Sequence, residues 1–111
     1  MQTFTVTGIL PRGIEISGVT YTNFTMREAL LDDLIDAAAE AGGTENGLAF
    51  YAEQAVRQIT EVTTTDGQRY TGPFVRRMIK AKADFLALRD AQTRLDIMGN
   101  GEPPTSETAG I

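Results

Sequence analysis

The sequence predicts an α+β fold. An N-terminal stretch alternates β-branched or aromatic residues with polar ones, later stretches carry apolar residues at helical spacing, and an Asp66-Gly67 pair separates two threonine-containing runs. The expected order is a small N-terminal antiparallel sheet or hairpin, two acidic helices, a short β-ribbon and a C-terminal helical segment. Residues 1–98 read as one domain and residues 99–111 as a disordered tail.

Residues 3–9, Thr-Phe-Thr-Val-Thr-Gly-Ile, have the period of a strand with one buried face, with Phe4, Val6 and Leu10 pointing inward. Pro11-Arg12-Gly13 is a turn signal, because proline presets φ and glycine permits positive φ. Ile14-Glu15-Ile16 then starts a second strand. Gly18 is a bulge or turn, and Val19-Thr20-Tyr21-Thr22 is a third strand or the far half of a bent one. Thr25-Met26-Arg27-Glu28 fits a capping box. The helix it predicts carries Leu30, Leu31, Leu34, Ile35 and Ala38 as a core-facing stripe, with Asp32, Asp33, Asp36 and Glu40 on the other side. Gly42-Gly43 ends it. Thr44 is placed to cap a second helix with Leu48, Ala52, Ala55, Val56 and Ile59 on its apolar face.

Residues 59–65 and 68–71 flank Asp66-Gly67 as a hairpin, which needs another surface to lean on. Gly72-Pro73 suggests a helix with proline in its first position. Phe74, Met78, Ala81, Phe85 and Leu88 form one stripe of it, joined by Val75, Ile79, Leu86 and Leu95. It either runs to Ile97 or, the preferred reading, breaks near Lys82 and restarts with Asp84 as cap. From Gly99 onward no core-forming pattern remains.

Composition narrows the chemistry. The chain has 111 residues, 41% of them apolar and 23% charged, with no cysteine and no histidine. Disulfides, Cys/His zinc sites, thiol nucleophiles and His-based triads are therefore excluded. No apolar run approaches the roughly 18 residues of a membrane span. The start MQTFTVTGILPRG lacks a basic segment followed by a long apolar one, so no signal peptide is expected. Asp32, Asp36 and Glu40 line one helical face and could hold a hard cation, but no second ligand cluster or phosphate loop accompanies them, and a solvated acidic face is the simpler reading. The glycines match no nucleotide fingerprint. No cofactor is expected.

Charge is segregated. Residues 28–61 hold eight acids and one base, whereas residues 76–94 hold six bases and two acids. Either two solvated faces neutralise one another, or the surface is polarised toward a charged partner or toward self-association. The run Arg76-Arg77-x-x-Lys80-x-Lys82 has no interleaved aromatics, and the chain is acidic overall with a net charge of −5, so neither nucleic acid nor membrane is an expected partner. Segment 73–97 carries more apolar positions than one stripe needs. Some are core, or some face a partner helix in an apolar groove, for which flexible methionine is suited. Phe74, Met78, Phe85 and Leu86, with Arg76, Arg77 and Lys80, are the candidate partner contacts.

Over residues 4–97 the order of features resembles the small tail assembly chaperones of Mu-like and P2-like tailed phages and prophages. The resemblance lies in Gly18 and Tyr21 of the β segment, Met26-Arg27-Glu28 followed by Asp32-Asp33-Leu34-Ile35-Asp36-Ala37, Gln58-Ile59-Thr60-Glu61-Val62 before Asp66-Gly67, and Asp84-Phe85-Leu86-Ala87-Leu88. It implies a non-enzymatic role in the bacterial host cytoplasm: binding the long helical tape measure protein, preventing its aggregation, and helping tail tube subunits polymerise around it. Such families often make a longer frameshifted form, which would diverge after Met98. The resemblance supplies no active-site residues. Several copies coating one client would make this chain a homo-oligomer. The alternative is a minor structural virion protein of the neck, tail completion or tube.

Overall fold

The computed structural model describes residues 3–99; the expected tail lies outside them from residue 100 on, and Gly99 closes the last helix. Strand β1 (Thr5–Ile16) and strand β2 (Val19–Arg27) form one long hairpin. Helices α1 (Leu31–Ala41) and α2 (Gly47–Gln58) follow. The chain then adds β3 (Ile59–Thr63) and β4 (Arg69–Tyr70), a 3₁₀ turn at Arg76–Met78, and α3 (Lys82–Gly99). The sheet is antiparallel in the order β1-β2-β3-β4, so the α+β class predicted from the sequence is the one observed.

Pro11-Arg12-Gly13 does not turn the chain back. The register runs to Ile9 opposite Asn23 and resumes with Ile14 opposite Tyr21, so these residues are a bulge inside β1. Proline has no N–H for the ladder. Gly13 sits at φ +90°, and a Cβ there would lie 2.9 Å from the Tyr21 carbonyl oxygen. The reversal comes at Ser17 and Gly18, both at positive φ, as a two-residue hairpin turn requires. The expected second and third strands are thus the closing end of one hairpin. The bulge also shifts the side-chain phase: Leu10, Ile14, Tyr21, Phe24 and Met26 all reach one core although Tyr21 and Phe24 are an odd number apart. Phe4 stays exposed and Val6 is half-buried.

The bulge amides, lost to the ladder, are taken up by Asp84. This buried carboxylate accepts from the backbone N–H of Arg12 at 2.8 Å and of Gly13 at 3.4 Å. Asp84 is therefore a clamp between α3 and β1 rather than a helix cap. From it α3 runs back along β1, burying Leu88, Ala91 and Leu95 against the sheet. Arg94 donates to the Thr7 carbonyl at 3.4 Å.

Two other starts differ from expectation. Thr25, Met26 and Arg27 stay in the sheet, paired with β3 or β1, and α1 begins after Leu30, whose N–H donates to Asp33 Oδ2 at 2.8 Å. Helix α2 begins after Asn46 rather than Thr44. Gly42 ends α1 in the left-handed conformation, and Asp66-Gly67 turns β3 into β4, both as expected. Pro73 does not open a helix. Tyr70 donates its hydroxyl to the Pro73 carbonyl at 2.6 Å and packs edge-on against Phe74 at 5.3 Å, which holds this stretch along the sheet. The last helix starts only at Lys82, in agreement with the preferred break.

Gly8 lies opposite Phe24, and a Cβ there would approach the Phe24 ring to 2.6 Å. Gly8→Ala should therefore cost about 1–3 kcal/mol through overpacking, read as a lower urea midpoint with an unchanged slope.

Candidate functional site

Helix α2 is held by its polar residues. Gln58 is fully buried, donates to the Arg27 carbonyl at 2.9 Å, and accepts from Gln54 at 2.9 Å and from Gln92 of α3 at 3.0 Å. Gln92 also donates to the Tyr51 carbonyl at 3.2 Å and accepts from Arg89 at 2.6 Å. The Arg89 guanidinium lies 3.8 Å from the Tyr51 ring centre, a cation–π contact. Unpaired buried amides are costly, so this network fixes the rotation of α2. Positions two residues apart on a helix differ by about 160° in direction. With Gln54 and Gln58 inward, Ala52 lies on the far side, with Leu48 one turn before it.

Helix α1 is turned in the same way. Arg27 grips Asp33 through two bonds of 2.6 and 3.1 Å, while also donating to the carbonyls of Glu28 and Arg57. Burial pushes the Asp33 carboxyl up, but the Arg27 and Leu30 hydrogen bonds and the charges of Arg27 and Arg57 outweigh it and leave it below the ordinary value of 3.8. The same bond raises the Arg27 guanidinium. With Asp33 inward, Ala37 and Ala41 follow at four-residue spacing and are buried where α1 packs on α2. Leu31 and Ile35, two residues either side of Asp33, must then face outward. They are 70% and 55% exposed. The stripe expected to enter the core thus lies largely outside it, because the partly buried Arg27–Asp33 pair and the packing of Ala37 and Ala41 on α2 set the helix rotation instead.

On the far side of α2 lies a groove of about 430 Å³. Leu48, Ala49, Ala52, Ile79, Ala81 and Phe85 give it apolar walls, and Arg76, Lys80 and Lys82 line it as well. Leu48 is 76% exposed. A neighbouring cavity of about 540 Å³ is lined by Glu40, Glu53, Arg57, Phe74, Arg76 and Arg77, among others. There Glu53 accepts from Arg57 at 2.8 Å and faces Arg76 at 3.4 Å, which ties the 3₁₀ turn to α2.

The candidate contacts therefore separate. Arg76, Lys80 and Phe85 meet at the groove. Phe74 and Arg77 line the second cavity, which Arg76 shares. Met78 packs half-buried against the core, and Leu86 is exposed on α3 away from both cavities. Leu48, Ala49 and Ile79 were not among the expected contacts. The signal available for Leu48 was its place at the helix start, beyond the reach of the glutamines. Asp32, Asp36 and Glu40 are exposed, and among the described residues no group of three His, Cys, Asp or Glu side chains is placed to hold a metal ion. Also among the described residues, no ion pair involves Asp32, Asp36, Arg77, Lys80 or Lys82, and no helix is long and apolar enough to cross a membrane.

Compared with protein-family models, curated proteins and solved structures, the chain matches none.

A carboxyl whose native value is depressed adds stability that is complete above its unfolded value and is lost as pH falls through the native one. For Asp33 that window opens near 3.8 and extends downward. Asp33→Asn should lower stability at pH 7 by about 1 kcal/mol and flatten the loss below about pH 4. Melting curves across pH for both proteins check this.

Proposed function

We propose that this protein is a non-enzymatic tail assembly chaperone of a tailed phage or prophage, which holds apolar helical segments of the tape measure protein in the host cytoplasm during tail morphogenesis. The observation that carries the helix-binding part is the groove beside α2, where exposed Leu48 and half-buried Ile79 and Phe85 offer apolar walls. Amphipathic helices dock into such grooves through side chains at helical spacing. The phage assignment draws on the resemblance over residues 4–97.

The proposed action is reversible burial. A client helix lays its apolar stripe along Leu48, Ala49 and Phe85, and the exposed Leu48 is covered. The rigid glutamine network under α2 keeps the groove formed before the client arrives, so little ordering accompanies binding. No bond is made or broken.

Binding of a tape measure helix from the same gene cluster, followed by calorimetry, tests this. Leu48→Glu should weaken it about tenfold or more, since a buried anchor contributes at least ~1.4 kcal/mol. The melting temperature should stay near wild type, because Leu48 is outside the core. A tape measure protein that remains equally insoluble with and without co-expression of this protein contradicts the proposal.

A further inference from the structure

Among the described residues, two of the exposed apolar surfaces are bordered by opposite charges. One is the ridge of α1, where Leu31, Leu34 and Ile35 stand in the open next to Asp32 and Asp36. The other is the groove, whose apolar walls are accompanied by Arg76, Lys80 and Lys82. The acids of the first and the lysines of the second are without ion-pair partners among the described residues. Within one chain the two cannot meet. Asp33, Ala37 and Ala41 hold α1 on α2 with the ridge turned outward.

We propose that copies of this chain associate head to tail, the α1 ridge of one copy seating in the groove of the next. Leu31 and Ile35 then cover Leu48, Ile79 and Phe85, while Asp32 and Asp36 approach Lys80 and Lys82. An amphipathic helix with an acidic border is what a basic-edged apolar groove selects, and α1 is such a helix. The contact joins two different surfaces, so each copy keeps one free ridge and one free groove. The assembly therefore grows past two copies, as a ring or an open chain, rather than stopping at a symmetric pair. This goes beyond the proposed function, since it needs no client.

The test uses the purified full chain alone, by light scattering on size exclusion over a concentration series up to about 1 mM, a range that reveals weak contacts. The wild type should show a mass that rises with concentration past two chains and falls back at high salt, where exposed charges are screened. A ridge variant, Leu31→Glu with Ile35→Glu, and a groove variant, Lys80→Glu with Lys82→Glu, should each remain single chains. Their melting curves should match wild type, because all four positions are exposed. Mixed in equal amounts they should give particles of two chains and no larger, because the ridge variant still offers a groove and the groove variant still offers a ridge. A wild type that stays a single chain throughout overturns the proposal. So do variants that associate like wild type, or a mixture that remains monomeric. Because no client is present, these outcomes are separate from those for tape measure binding.

Discussion

The side chain of Gln58 is the point on which the arrangement turns. It lies where β2, α2 and α3 meet, without contact to water, and its amide is engaged from three directions: by the Arg27 carbonyl, by Gln54 and by Gln92. An apolar side chain in its place could slide or rotate at little cost. An amide cannot, because each displaced partner would be left buried and unpaired. Helix α2 therefore has one permitted rotation, with its glutamines turned in, while Leu48 is exposed because it sits in the first turn, ahead of the buried stretch that begins at Ala52.

Asp33 does for α1 what Gln58 does for α2. The helical hairpin thus buries Asp33, Gln54 and Gln58 beside Ala37, Ala41, Ala55 and Val56, while Leu31, Ile35 and Leu48 stand exposed. Leucines left in water are a cost to the isolated chain, and large exposed apolar patches mark interaction sites. The opposite charges bordering the α1 ridge and the groove add orientation to that stickiness. The sheet and α3 form the conventional half of the molecule. There Leu10, Ile14, Phe24, Met26, Val62, Leu88 and Leu95 make one core, and Asp84 locks the helix to the bulge.

Local chemistry made much of the fold legible. Alternation marked the first strand, Gly42 marked a helix end, Asp66-Gly67 marked a hairpin, and the change of pattern near Lys82 marked the start of the last helix. What misled were features whose meaning depends on distant residues. Pro11-Arg12-Gly13 reads as a turn until Asp84, more than seventy residues later, is seen to satisfy its amides. Gly72-Pro73 reads as a helix start until Tyr70 and Phe74 are seen to hold it extended. The candidate site was half visible: Arg76, Lys80 and Phe85 do line one groove, whereas Leu48 on its opposite wall and the ridge of Leu31 and Ile35 were assigned to core-facing helix stripes, and Ala49 was not singled out. Hydrophobic periodicity locates an apolar stripe but not the direction it faces. That direction was set by Arg27–Asp33 and by the glutamines, polar residues that a stripe-based reading places at the surface.

The claim that polar anchors hold apolar side chains outward is open to one direct measurement: methyl NMR of the dilute protein at high salt with a soluble paramagnetic agent. Leu31, Ile35 and Leu48 should broaden strongly, while Leu10, Ile14, Leu88 and Leu95 stay sharp. Protection of Leu31, Ile35 and Leu48 in the monomer would mean that the hairpin folds its apolar residues inward, and the account of both surfaces would fall with it.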